Sequence, residues 1–140
     1  MIIDAVRSYI MKCPHLVEFH KGVNINYLSD KVTSYMIEEV PANPIVRRYV
    51  NGDTIRQALF IFASREAYGS DVLQQLDNSG FYENLFTWFE RQTRQGILPI
   101  LEPNQQALKI EATTCGYAFD TEMDRARYQI QFKLEYLQKG

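Results

Sequence analysis

Cys13, His15 and His20 are the densest set of metal-capable side chains in the chain, spaced Cys-x-His-x4-His. A structural zinc site takes four thiolate or imidazole ligands and a catalytic one three, at knuckle, turn or helix spacing. No fourth ligand is evident, so ordinary histidines and no metal are expected. A Cys-His nucleophile pair would need a positioned base and an oxyanion site, and no motif supplies either. Asp120, Glu122 and Asp124 alternate somewhat as in a calcium loop, but the loop glycine and the distal bidentate glutamate are missing. A solvated turn is the expectation there. Arg47, Arg48, Arg56 and Arg65 place positive charge on one strand pair, read as a polar face with nearby carboxylates in preference to a phosphate-binding surface. Phosphate loops, dinucleotide turns, Gly-x-Ser-x-Gly elbows and His-Glu-x-x-His are all absent. The sequence therefore predicts no catalytic, metal or cofactor-binding residue, and not an enzyme.

The elements that would position these residues follow from periodicity. Ile3, Val6, Ile10 and Cys13 recur at three- and four-residue steps, predicting a short helix with Asp4 in its first turn and Pro14 beyond its end. Residues 14–31 show no clean period, and Val23, Ile25, Tyr27 and Leu28 are expected to anchor an irregular segment. Tyr35, Ile37 and Val40 suit a strand that Pro41 and Pro44 close off. Asn51-Gly52 between Ile45–Val50 and Thr54–Glu66 is the strongest hairpin signal in the chain. The run Leu59–Ala63 is apolar on both alternating faces, so this strand is expected to be central and covered on both sides.

Val72, Leu73 and Leu76 predict a turn or two of helix, interrupted at Asp77-Asn78-Ser79-Gly80. A main helix follows from about Phe81 to Gln95, stopped by Gly96 and Pro99. Its apolar stripe is Phe81, Leu85, Trp88 and Phe89, widened by Tyr82 and Phe86, and it reads as core. Leu108, Ile110, Ala112 and Thr114 alternate with polar residues, as do Tyr128, Ile130, Phe132, Leu134 and Tyr136. Between them, Tyr117–Asp124 reads as a loop longer than a tight hairpin needs and partly apolar. The expected architecture is α+β: a mainly antiparallel or mixed sheet with two helices packed on one face.

The chain has 140 residues, 46% of them hydrophobic, enough for the core of one domain over residues 1–140. A net charge of -2 argues against a tight nucleic-acid binder. No apolar run approaches a membrane span and the N-terminus lacks the layout of a signal peptide, so a soluble, intracellular protein is expected. Two distant cysteines, Cys13 and Cys115, read as free thiols, with a disulfide between them left open. Exposed sheet edges and a partly apolar segment at 117–123 are features that assembly subunits use.

Several stretches carry a family texture. They are Ile37-Glu38-Glu39-Val40-Pro41, Ile45 to Gly52, Phe62 to Gly69, Gly80-Phe81-Tyr82-Glu83 with Trp88-Phe89, and Ala126 to Tyr136. From about residue 34 onward the chain resembles the minor capsid or tail terminator proteins of long-tailed phages and prophages of Gram-positive bacteria. The resemblance implies a structural virion protein of the tail and neck, assembled in the host bacterial cytoplasm, with no cofactor and no membrane. It implies a homo-oligomeric ring, typically a hexamer, on the head-proximal end of the tail tube. That ring stops tube polymerisation and provides the head-joining surface, with DNA only passing through its lumen. Its partners would be itself, the tail tube protein and the head-completion or connector protein. On this picture Asn51, Gly52, Tyr117, Phe119 and Asp120 are expected to reach the tube or the next subunit. Arg127, Gln129 and Gln131, with Lys133 and Glu135, are expected to face a neighbour or the lumen. The alternative within assembly is a head-completion or connector protein of the phage neck, and the distant one a small nucleic-acid-binding protein.

Overall fold

Two 14-residue strands, β4 (Thr54–Ala67) and β7 (Arg125–Gln138), run antiparallel along their whole length, from Thr54 opposite Gln138 to Ala67 opposite Arg125. Their composition explains the pairing, since β-branched and aromatic residues alternate with polar ones and pack cross-strand. The computed structural model of the chain describes residues 2–14, 23–25, 34–67, 72–122 and 125–140, with residues 23–25, 34, 65–67, 72–79, 118–122 and 125–127 described through their backbone.

Each long strand carries two shorter ones on its outer edge. On β4 these are β3 (Ile45–Arg48) and β2 (Ser34–Val40); on β7 they are β5 (Gln105–Ala112) and β6 (Tyr117–Glu122). β1 (Val23–Ile25) adds to β2 in parallel, the one parallel pairing among the described strands. Within 14–31, then, Val23–Ile25 form a strand where an irregular segment was expected; Tyr27 and Leu28 lie outside the described residues. With α1 (Ile2–Ile10) and α2 (Val72–Gln95), the fold is α+β with a mainly antiparallel sheet.

Three expectations need correction. The segment 117–124 is not a long loop: Tyr117–Glu122 is strand β6, and Glu122 pairs with Arg125. Pairing with β7 makes it a strand where its own residues show no clear alternation. Second, α2 is continuous from Val72 and runs through Asp77–Gly80 without interruption. A helix-interior glycine costs only ~1 kcal/mol, less than burying one aromatic from the stripe that follows, at about 1.5–3 kcal/mol. Third, the strand expected over Leu108–Cys115 begins earlier, at Gln105, and ends at Ala112, and a bulge at Leu108 leaves that side chain exposed.

The core gathers Tyr82, Leu85, Trp88 and Phe89 of α2 with Phe60, Phe62, Ile130, Phe132 and Leu134 of the two long strands. Phe89 stacks on Phe132 at 5.0 Å between centroids, Phe132 on Phe60 at 5.3 Å, and Tyr35 on Phe62 at 5.6 Å. Ile3, Val6, Tyr9 and Ile10 of α1 join the same cluster, Tyr9 meeting the Trp88 ring at 5.1 Å. The Tyr82 hydroxyl donates to the Tyr128 carbonyl at 2.9 Å and lies 2.6 Å from Ser64 Oγ, fastening α2 to the register pair Ser64–Tyr128 of the two long strands. Its proton goes to the carbonyl, so Ser64 donates to it. Ala63, on the opposite face of β4, is fully buried, in keeping with a strand covered locally on both sides.

Helix ends obey their sequence signals. Gly96 adopts φ 73°, its N–H bonds the Thr93 carbonyl, and the Ile97 N–H bonds the Gln92 carbonyl. This paired arrangement satisfies carbonyls that a helix C-terminus otherwise leaves open. One turn earlier, Thr93 Oγ1 donates to the Ile110 carbonyl at 2.7 Å and accepts from the Ile110 N–H at 3.1 Å. α2 thereby occupies backbone groups on the β5 edge that another strand would otherwise use.

Candidate functional site

The residues singled out from sequence fall at two ends of the long strands. Asn51 and Gly52 cap the β3–β4 hairpin beside Thr54, whereas Gln129 pairs with Ala63, nine positions along β4. At about 3.3 Å per residue that separation is about 30 Å.

At the hairpin end, residues 49–53 form a five-residue connection in which the Tyr49 N–H bonds the Asp53 carbonyl and Gly52 takes φ 95°. Asn51 Oδ1 accepts from the Asp53 N–H at 3.0 Å, an Asx-type turn that explains asparagine there. Asp53 Oδ1 accepts the Gly140 N–H at 2.9 Å, and the Lys139 N–H bonds the Asn104 carbonyl. The hairpin root, residues 139–140 and the turn before β5 are thus tied together. Sequence reasoning missed what this end displays: Tyr49 and Val50 stand exposed at the tip, Val46 on β3, and Ile97 and Ile100 after α2. The available signal was an apolar pair directly before a turn dipeptide, Tyr49-Val50-Asn51-Gly52.

At the other end, Tyr117, Gln129 and Gln131 come together. Gln129 Nε2 donates to the Tyr117 hydroxyl at 2.6 Å, and Gln131 Nε2 approaches it at 3.4 Å. Gln129 is only 3% exposed, so it does not face a lumen or neighbour in this chain as expected; its buried amide is held by Tyr117. Phe119 is the extra residue of a bulge in β6, and Asp120 lies opposite Arg127 in the ladder. Bulges also fall at Val46 in β3 and Leu108 in β5, so three edge strands each carry one at an apolar residue. Such bulges twist an edge away from further pairing.

Between the two ends, Lys109, Glu111, Lys133 and Glu135 form a closed quartet with N–O distances of 3.3 to 3.6 Å. Desolvation lowers the Lys133 ammonium's proton affinity, but the carboxylates of Glu111 and Glu135 outweigh it and the pKa is raised. Exposed pairs of this kind contribute little to stability, about 0.2–1 kcal/mol each.

The remaining sequence-stated features separate. Arg47 and Arg48 are exposed on β3, and Arg56 is half-buried with Nε donating to Thr54 Oγ1 at 3.0 Å; the Arg65 side chain is outside the described residues. Asp120 and Glu122 sit on strand β6 and not in a solvated turn, while Asp124, His15 and His20 lie outside the described residues. Cys13 is buried and Cys115 exposed, and no disulfide joins them. Among the described residues no cluster of three or more His, Cys, Asp or Glu is placed to hold a metal, and no helix is long and apolar enough to cross a membrane. Burial raises the Tyr9 phenol from 10.0 to about 12, with the Gln92 hydrogen bond opposing and Cys13 adding to the rise; its hydroxyl donates to the Ile97 carbonyl at 2.8 Å. Tyr9 also borders a groove of about 490 Å³ between α1 and residues 97–102, lined by Ile2, Ala5, Leu98 and Ile100 and flanked by Asp4, Lys12 and Glu102.

The described side chains thus offer apolar projections and hydrogen-bonding edges on an α+β scaffold. No protein-family model matches the chain, and no curated protein matches its sequence.

Proposed function

We propose that the chain is a structural virion-assembly protein, a tail terminator that forms a ring on the head-proximal end of a phage tail tube. In that role it stops tube polymerisation and provides the surface that joins the head. The observation that carries the reading is the hairpin end, where Tyr49 and Val50 stand exposed at the β3–β4 tip, with Ile97 and Ile100 exposed at the same end on the opposite edge of the sheet. Apolar side chains held out on an ordered hairpin are what an assembly contact uses. Support also comes from the residue texture of 34–136, which resembles that family. A net charge of -2 is compatible with a ring whose lumen passes DNA without gripping phosphates.

The free energy of such an assembly comes from surface buried between neighbours and against the tube. A head-to-tail contact closes into a ring only when the rotation per subunit fits. Deleting the gene from the phage or prophage that carries it, inducing, and imaging the lysate tests the role. Unjoined, DNA-filled heads beside overlong tail tubes are expected. Leaky or empty heads beside tails of normal length would reassign the protein to head completion. Normal infectious particles would overturn both.

A further inference from the structure

The β3–β4 hairpin and the α1 groove sit at the same end of the sheet but on opposite edges. β3 lies on the outer edge of β4 at Thr54–Arg56, while residues 97–102 lead into β5 on the outer edge of β7, where Gln105 pairs with Gln138. β4 and β7 lie between β3 and β5, so three strand spacings, about 14 Å, separate the two edges. The tip offers Tyr49 and Val50, preceded by exposed Arg47 and Arg48. Among the described residues neither arginine has a carboxylate partner, and Asp53, the acid of the turn, is occupied by Asn51 and the Gly140 N–H. The groove offers Ile2, Ala5, Leu98 and Ile100, the last 85% exposed, with Asp4 and Glu102 against one Lys12. The tip is thus apolar with a basic base, and the groove apolar with a net acidic rim.

From this we infer that the hairpin tip of one copy seats in the α1 groove of the next, Tyr49 and Val50 against Ile2, Leu98 and Ile100, with Arg47 and Arg48 toward Asp4 and Glu102. Plug and socket are different patches of the same chain, so the contact is heterologous and propagates from subunit to subunit until it closes. The inference rests on the ring reading above and names its subunit contact. Complementary charge at the rim orients the approach, and the buried apolar tip holds it.

The test is disulfide trapping in a Cys115→Ser background, both in the purified protein at about 1 mM and in lysates containing assembled particles. Val50→Cys and Ile100→Cys in one chain should give a ladder of covalent multimers on mild oxidation. The two single variants should trap only when mixed, as a dimer. Val50→Asp, or Arg47→Glu with Arg48→Glu, should weaken self-association about tenfold or more by sedimentation, and Asp4→Arg should restore the double charge reversal. Val50→Cys trapping with itself as readily as with Ile100→Cys would mean a two-fold contact and overturn the inference. So would the absence of any ladder in both preparations. A missing ladder together with overlong tails in the deletion strain would refute this contact and leave the terminator reading standing; a clear ladder with normal tails would do the reverse.

Discussion

Replacing Tyr82 by Phe removes one oxygen from the junction of α2, β4 and β7. Tyr82 is 2% exposed and Ser64 fully buried, so water does not readily replace what is lost. The Ser64 hydroxyl loses its acceptor at 2.6 Å and the Tyr128 carbonyl its donor at 2.9 Å. Each net hydrogen bond contributes about 1 kcal/mol, and a buried group left unsatisfied costs about 1–3 kcal/mol. Together these predict a loss of about 2–4 kcal/mol. With an unfolding entropy of ~2.1 cal/mol/K per residue, a chain of 140 residues loses about 3.4 °C of Tm per kcal/mol, so Tm falls by about 7–14 °C. Urea titration followed by Trp88 fluorescence reads this directly, since Trp88 is the single tryptophan and packs in the core. Ser64→Ala removes the orphaned hydroxyl, so Tyr82→Phe should cost about 1–2 kcal/mol less in that background than alone. Strict additivity within ~0.5 kcal/mol would refute the claim that these hydroxyls work as one unit.

Three further outcomes follow from the same geometry. A Cβ at Gly116 would run into the Tyr82 Cβ, so Gly116→Ala should destabilise by about 1–3 kcal/mol or more in thermal melts, although the backbone there needs no special φ. Thr93→Val strips the Ile110 N–H and C=O of their shared hydroxyl, and should cost about 1–3 kcal/mol and speed amide exchange at Ile110 relative to Phe132. The Tyr9 phenol holds its proton more tightly folded than unfolded, so its contribution is intact below pH 10.0 and is lost as pH rises toward about 12. Stability of the native chain should therefore drop more steeply across that window than that of Tyr9→Phe, measured by urea midpoint.

Local chemistry made several elements legible before any coordinates. The 3.6-residue spacing of Ile3, Val6 and Ile10, the Gly96-x-x-Pro99 stop and the Asn51-Gly52 turn each act within a few residues of themselves, and each stands in the structure. The two-residue alternation of Tyr128 to Tyr136 likewise needed only one buried face to make its meaning plain. Whether a segment pairs is another matter, because hydrogen-bonding partners come from distant sequence. Tyr117–Glu122 reads as part of a long, partly apolar loop until β7 is laid beside it, and Val23–Ile25 becomes a strand only against β2. Gln129 reads as an outward polar residue by alternation, yet Tyr117 buries and satisfies it on the face away from α2. Asp77–Gly80 carries every local mark of a break, and packing of the helix that follows carries the chain through it. What the sequence determined by itself was therefore what neighbours along the chain can enforce: periods, caps and turns. Which edges are open, which apolar residues stand out at the hairpin end, and which polar ones are hidden were decided by the tertiary structure alone, since burial is a property of the whole sheet and its helices.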